Sequence, residues 1–218
     1  MVVRGSAQVV MREKSQYTDL ERRFNTKDQQ YTARLATQGS VWWKKALNVQ
    51  AVYRWNLRRL NPGFTLDIGC GIGRNLSHLD GHGIGIDHNS ASIQIARSRG
   101  LQAFTPEEFQ ATEFNTDATF DSILLSHVAE HMSEIEVVQL LKSYLRMLKP
   151  DGRVILITPQ EYGYASDQTH VQFMDFEALR SIVIGVGLIP VRQFSFPFPR
   201  IFGRLFKYNE FVFVSRKA

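Results

Sequence analysis

The sequence is poor in cysteine, proline and long apolar runs, and each shortage excludes a class of protein. Cys70 is the single cysteine among 218 residues, so an intrachain disulfide framework is excluded and a reducing compartment is expected. Seven prolines and 15 glycines exclude collagen-like and low-complexity chains. No apolar run approaches the ~20 residues of a membrane-spanning helix, and residues 1–7 lack the apolar core of a signal peptide. We therefore expect a soluble, cytoplasmic globular protein without a membrane span.

The positive charge is confined to the first part of the chain. Residues 1–60 carry 12 Lys and Arg against 4 Asp and Glu, whereas residues 61–218 carry 14 against 17. All three tryptophans also lie in residues 1–60. A nucleic-acid binder is expected to be basic more uniformly, so the pattern predicts no nucleic-acid partner. It predicts instead a helical, aromatic cap or lid over residues 1–60 and a core domain over residues 61–218.

From residue 64 onward, short apolar strands alternate with amphipathic helices, which predicts a parallel sheet covered on both faces. The predicted strands are 64–68, 83–86, 102–104, 120–125, 154–157, 191–196 and 210–215. The predicted helices are 49–60, 74–79, 90–99, 135–148 and 176–186. No helix separates the last two strands, so we expect an antiparallel excursion at one edge of the sheet.

A glycine turn with the sequence DIGCGIG follows the first predicted strand at residues 67–73. Glycines at alternate positions allow a tight turn and a close approach of the backbone to a ligand. A dinucleotide fingerprint would need a third glycine at position 74, where Arg74 stands. A second acidic residue, Asp87, ends the second strand 20 residues after Asp67. A carboxylate at that strand tip can accept hydrogen bonds from ribose hydroxyls.

Four sequence blocks together resemble the class I S-adenosylmethionine-dependent methyltransferases, over about residues 60–188. They are LDIGCGIGR, GIGIDHN, FDSILLSHVAEHM and LKPDGRVILITP, in the order of the family. The resemblance implies an α/β, Rossmann-like fold with a seven-stranded, mostly parallel sheet, one antiparallel edge strand, helices on both faces and an N-terminal helical cap. It also implies S-adenosyl-L-methionine as cofactor.

The same resemblance implies which residues hold the cofactor. The glycine turn would admit its methionine part, Asp87 would bind the ribose, and residues after the third strand would lie near the adenine. Two alternatives stay open: a tight turn without a ligand, and a helix N-cap role for Asp87. The candidate cofactor-binding residues are Asp67, Gly69, Gly71, Gly73, Asp87, His88, Thr105, Glu107, Phe109 and Ser126.

Candidate catalytic residues follow the fourth and fifth strands. His127, Glu130 and His131 come after the fourth strand, whose end abuts the transferred methyl group in this fold, and histidine is the usual general base for an alcohol. His170 lies in a long polar and aromatic loop, residues 162–173, that is typical of an acceptor-binding loop. The alternatives are that Glu130 and His131 cap the next helix and that His170 only orders its loop.

A metal site and an acceptor pocket are also predicted. Divalent ions such as Mg²⁺ activate hydroxyl groups in some enzymes. The candidate metal ligands are Glu130, His131, Asp167 and His170, and the candidate acceptor-binding residues are Tyr31, Trp42, Trp43, Tyr164 and Asp167. The apolar and basic segment 196–204 predicts either the acceptor entrance or a homodimer contact.

We expect O-methylation of a small-molecule acceptor, with a saccharide or glycoside first because the chain resembles actinobacterial mannoside O-methyltransferases. A quinone, polyketide or lipid precursor is the alternative acceptor. Nucleic-acid bases are disfavoured, because residues 126–129 read SHVA where base methyltransferases usually carry an Asp/Asn-Pro-Pro-aromatic tetrapeptide. A cofactor-binding protein without catalytic activity is the third interpretation.

Overall fold

The computed structural model describes residues 49–217. The chain divides into two compact units, Met1–Ala46 and Leu47–Ala218, and every described residue belongs to the second. Tyr31, Trp42 and Trp43 lie outside the described residues, so their acceptor role stays a prediction. The cap boundary at residue 60 also stays a prediction. Among residues 49–217, no helix has the length and apolarity to cross a bilayer.

A seven-stranded sheet forms the centre of the described unit, as predicted. Its strands are β1 Thr65–Ile68, β2 Gly83–Ile86, β3 Ala103–Phe104, β4 Phe120–Ser126, β5 Leu148–Pro159, β6 Ile189–Phe196 and β7 Glu210–Arg216. The spatial order is β3-β2-β1-β4-β5-β7-β6. The first five strands pair in parallel. The mostly parallel α/β fold is therefore confirmed.

The antiparallel strand is β7, which lies between β5 and the edge strand β6. Since β6 also pairs antiparallel with β7, β6 runs in the same direction as β5. This arrangement brings Glu210, the first residue of β7, opposite Pro159, the last residue of β5. The antiparallel direction of β7 thus places the Glu210 carboxylate at the edge of the sheet where the parallel strands end.

Helices cover both faces of the sheet. They are α1 Val49–Arg59, α2 Arg74–His78, α3 Ser90–Ser98, α4 Pro106–Gln110, α5 Glu134–Tyr144, α6 Glu161–Ala165 and α7 Phe176–Gly185. Apolar residues of α5 and α7 pack with alternate residues of β1, β2 and β4 in one core cluster. Leu57 of α1 packs with Leu124 and Ile155 in a second cluster on the opposite face. Alternate residues of one strand therefore serve two separate cores.

Polar side chains define where the helices begin. Asn89 caps α3 by accepting from Ser92 N at 3.0 Å, so the N-cap is Asn89 and not Asp87. Ser133 caps α5 in a capping box with Glu136, so Glu130 and His131 do not cap that helix. Both corrections leave Asp87, Glu130 and His131 for other contacts.

Candidate active site

The glycine turn and the segment after β4 meet where the strand order reverses. Chain order runs outward from β1 to β3 on one side and from β4 to β5 on the other. Ligands of open parallel sheets bind in the crevice at this point, beyond the carboxyl ends of the strands. Contact is direct, because a Cβ added at Gly69 would lie 2.3 Å from Cγ2 of Val128. The structure therefore joins the predicted cofactor and catalytic segments at one site.

Three left-handed residues shape the turn after β1. The φ angles of Gly69, Gly71 and Gly73 are 74°, 51° and 77°. Residues with a side chain rarely adopt these φ angles, which explains why glycine occupies alternate positions of the turn. Packing adds a second reason at Gly73, where a Cβ would meet Leu101 at 2.3 Å.

Asp87 fixes the turn to the end of β2. Its Oδ2 accepts from Gly71 N and its Oδ1 from Asn89 N, both at 2.8 Å. The residue is 9% exposed, and each carboxylate oxygen has further acceptor capacity. The neighbouring His88 is mostly exposed, with Nδ1 3.7 Å from Oδ1 of Asp87. Asp87 is thus held rigidly where the sequence places the ribose.

Asp67 is a fully buried carboxyl group beneath the turn. It has no solvent exposure, and neither of its oxygens makes a well-formed hydrogen bond, although the Asn75 side chain interacts with the carboxyl. Burial raises the pKa of Asp67 to about 7, the Asn75 side chain opposes the rise, and the charge of Asp87 adds to it. An unpaired buried carboxyl is costly, so its presence at the turn needs a reason outside packing.

The residues after β3 fit an adenine site only in part. Thr105 caps α4, accepting from Glu108 N at 3.3 Å, and Glu107 is exposed on the same short helix. Phe109 is 1% exposed and belongs to the main core cluster. Its predicted cofactor contact is therefore corrected, because the ring packs inside the domain. Ser126 ends β4 and is partly exposed toward the crevice side of the sheet's edge.

His127 bridges two carboxylates. Its Nδ1 lies 3.2 Å from Glu130 and its Nε2 2.9 Å from Glu210. Burial favours the neutral ring, but the hydrogen bonds and charges of Glu130 and Glu210 raise the pKa of His127 to about 10. Both ring nitrogens are therefore engaged by carboxylates, and His127 links the segment after β4 to β7. Its predicted role as a base stays a prediction.

Glu130 is buried in a short 3₁₀ helix that runs from Ala129 to His131. Its side chain is fully buried, and its oxygens make no hydrogen bond apart from the ion-pair contact with His127. Its carbonyl oxygen accepts from Val171 N at 2.8 Å and from Gln172 N at 3.2 Å. These backbone bonds bring the 3₁₀ helix against the loop after β5.

His131 and His170 face each other across that junction. Their ring centroids are 4.9 Å apart. Nδ1 of His131 lies 3.2 Å from Thr169 O, and Nδ1 of His170 lies 2.7 Å from Tyr164 O. A carbonyl oxygen can only accept, so both Nδ1 atoms carry a proton, and in the singly protonated form of each ring the lone pair is on Nε2.

Tyr164 and Asp167 hold this loop in place. The ring of Tyr164 stacks on His170 with centroids 5.2 Å apart. Asp167 Oδ1 accepts from Thr169 N at 3.0 Å and from Thr169 Oγ1 at 2.8 Å. Asp167 is absent from the metal-type cluster found among the described residues, which comprises Glu130, His131 and His170. Asp167 orders the loop through its bonds to Thr169, and its role as a metal ligand stays a prediction.

Sequence reasoning missed Glu210 and Thr169. Glu210 lies 83 residues from His127, and no local pattern connects the two. Thr169 could have been found, because an Asp-x-Thr segment is typical of side chains that bond the backbone two residues away.

Comparison with known proteins agrees with this architecture. Residues 66–156 match the family described as "Methyltransferase domain". A human protein named "Probable tRNA methyltransferase 9B" is 29% identical over 120 residues, which are 54% of this chain and 25% of that protein. A "Ubiquinone biosynthesis O-methyltransferase" of Pasteurella multocida is 27% identical over 158 residues, which are 60% of this chain and 64% of the relative. The chain therefore spans about a quarter of the first relative and under two thirds of the second.

A solved structure has the same fold. The crystal structure of a SAM-dependent methyltransferase from Archaeoglobus fulgidus has a TM-score of 0.62 and 20% identity, covering 77% of this chain and 94% of that one. This chain therefore shares the fold of that protein, and its residues 66–156 are similar to the methyltransferase domain family.

Proposed function

We propose that the protein O-methylates a small hydroxylated acceptor. One observation carries the proposal: His131 and His170 lie together beside the segment that follows β4, each with Nδ1 tied to a carbonyl oxygen. An alcohol must lose its proton as its oxygen attacks the methyl carbon, whereas an amine needs less help. A pair of oriented imidazoles suits the harder acceptor.

The cofactor would be held by the turn after β1 and by Asp87. The fit has two supports in the structure: the unpaired carboxyl of Asp67 beneath the turn, and the anchored carboxylate of Asp87. When bound, the cofactor supplies a methyl group already activated on a sulfonium. The protein then needs mainly to position the acceptor and exclude water.

The acceptor's proton would leave through the histidine pair. Nε2 of His170 can take it directly, because the tie to Tyr164 fixes the tautomer with that lone pair free. The pair can also hold a cation that acidifies the hydroxyl. In the first case the proton passes to Nε2 of His170, and in the second it passes from the cation-bound hydroxyl to solvent water. In both cases the oxygen–carbon bond forms as the sulfur–carbon bond breaks, leaving a neutral thioether.

Among hydroxylated acceptors we propose a saccharide or glycoside, on the resemblance of the sequence to mannoside O-methyltransferases. A quinol is the competing acceptor, and its support is the ubiquinone biosynthesis O-methyltransferase among the relatives. The name of the human relative supports a tRNA acceptor. The acidic balance of residues 61–218 and the SHVA segment at residues 126–129 argue against it.

The test is a methyl-transfer screen with labelled cofactor over mono- and oligosaccharides, quinols, other phenols and tRNA. We expect transfer to a hydroxylated small molecule, with kcat lowered about 10²–10⁴-fold by His170→Ala and the cofactor Kd unchanged. His82→Ala is the matched control, because His82 is exposed and precedes β2 at the opposite edge of the sheet. Transfer to amines or tRNA alone would refute the proposal.

A further inference from the structure

The contact between the 3₁₀ helix and the loop after β5 brings together a cluster of three potential metal ligands, separate from the proposed cofactor site. One carboxylate oxygen of Glu130 and one nitrogen each of His131 and His170 all lie within 4.8 Å of one another. Atoms that ligate one small cation are about 3.4 Å apart when each is ~2.1 Å from the ion. Binding an ion would therefore require the ligand atoms to move closer together, and both histidine rings are only partly buried.

We infer that Glu130, His131 and His170 bind one divalent transition-metal ion, such as Zn²⁺, Mn²⁺ or Co²⁺. This inference deepens the proposed methyl transfer, which the ion would serve by acidifying the acceptor hydroxyl. The role of the ion in methyl transfer rests on the proposed function, whereas the test of metal binding does not depend on it.

The orientation of both histidines supports the inference. Metal-bound histidines commonly donate their second N–H to a carbonyl or carboxylate, which fixes the ring and its tautomer. Here Nδ1 of His131 is tied to Thr169 O and Nδ1 of His170 to Tyr164 O. Both Nε2 lone pairs are therefore left for a shared ligand.

Glu130 supplies the anionic ligand. Its carboxylate is fully buried, and the contact with Nδ1 of His127 at 3.2 Å leaves further acceptor capacity on its oxygens. Buried carboxylates normally satisfy their oxygens, and an ion at this point would do so. The backbone of Glu130 is also held in place, because Val171 N and Gln172 N donate to its carbonyl oxygen.

The donor set determines which ion is expected. Mg²⁺ prefers an all-oxygen, octahedral shell, whereas imidazole nitrogens suit Zn²⁺, Mn²⁺, Fe²⁺ and Co²⁺. Two histidines and one carboxylate therefore favour a transition metal over the Mg²⁺ expected from the sequence. Three protein ligands also leave an open position for an acceptor oxygen.

The test titrates the chelator-treated full chain with Co²⁺, Zn²⁺, Mn²⁺ and Mg²⁺ by calorimetry and follows the visible absorption of bound Co²⁺. We expect one equivalent of Co²⁺ or Zn²⁺, with much weaker binding of Mg²⁺. His131→Ala and His170→Ala should each weaken Co²⁺ binding at least about tenfold, and His82→Ala should not. Each variant tests the site independently, so failure of one to fold leaves the other.

Absence of stoichiometric binding would overturn the inference, as would unchanged Co²⁺ affinity in the folded His131→Ala or His170→Ala protein. Methyl transfer that persists in chelator and still requires His170 would also overturn it, while leaving the proposed O-methylation intact. Metal binding without transfer to any hydroxylated acceptor would instead reject the proposed function and keep the site.

Discussion

Asp67→Asn should make the domain more stable than the wild type at alkaline pH and should leave its stability almost unchanged at acid pH. The carboxyl group has no solvent exposure and no well-formed hydrogen bond, and burial raises its pKa from 3.8 to about 7 against the opposing effect of the Asn75 side chain. A folded-state pKa above the unfolded value means that the native state holds its proton more tightly. The stability that this carboxyl contributes is therefore complete below about pH 4 and is lost as pH rises through 7.

The magnitude follows from the same values. A shift from 3.8 to about 7 corresponds to about 4 kcal/mol, at about 1.4 kcal/mol for each pKa unit. An asparagine has nearly the same shape and no charge, so it avoids this loss. The free energy of unfolding of Asp67→Asn should accordingly exceed that of the wild type by a margin that grows to about 4 kcal/mol between pH 5 and pH 9.

Urea unfolding without added cofactor, at pH 5, 7 and 9, measures this margin. Asp80→Asn is the matched control, because Asp80 is an exposed aspartate that pairs with Arg58 on the surface. Its margin over the wild type should not grow with pH. A margin for Asp67→Asn that stays flat across the range, or that favours the wild type at pH 9, would show that the carboxyl is ionised and paired in the native state.

Three further substitutions test the cofactor side of the site. Asp87→Ala should weaken binding of the cofactor by about 1–3 kcal/mol in calorimetry, because charge-assisted hydrogen bonds are lost, and unchanged affinity would reject the ribose role. Gly69→Ala should lower the melting temperature more than Gly187→Ala, since both have φ above 70° but only Gly69 faces Val128 at 2.3 Å; equal losses would contradict the packing argument. Phe109→Ala should cost about 3–5 kcal/mol of unfolding free energy, and a selective loss of cofactor affinity in the folded protein would restore Phe109 to the site.

Local sequence predicted the parts of the fold whose cause is local. Strand β2 was predicted with its observed limits, because glycine and isoleucine alternate and Asp87 ends the run. The strand predicted over 154–157 begins earlier, at Leu148, and residues 149–152 form an irregularity inside β5, where β4 and β5 shift register. The helix predicted over 135–148 ends at Tyr144, and a 3₁₀ turn, Leu145–Met147, follows it.

In the candidate site, too, the locally determined parts could be predicted from the sequence and the parts that depend on tertiary structure could not. The glycine turn and the segment after β4 could be predicted, because each follows a recognisable strand and parallel strands end at one edge. The bridge through His127 could not, because its partner Glu210 arrives from a strand whose direction only the tertiary structure decides. The sequence pattern predicts His127 as a base, and only the tertiary structure reveals that its Nε2 already has a carboxylate partner.

Unsatisfied acid groups mark where this chain departs from a simple packed domain. Within residues 49–217, the buried side-chain oxygens that lack a hydrogen bond belong to two residues, Asp67 and Glu130. Asp67 lies near the end of β1, and Glu130 lies four residues beyond the end of β4. Since β1 and β4 are neighbours, both groups stand at the point where the strand order reverses. Packing alone would select against each of them, and the proposed cofactor site at the glycine turn and the proposed metal site between the histidines would account for their shared location.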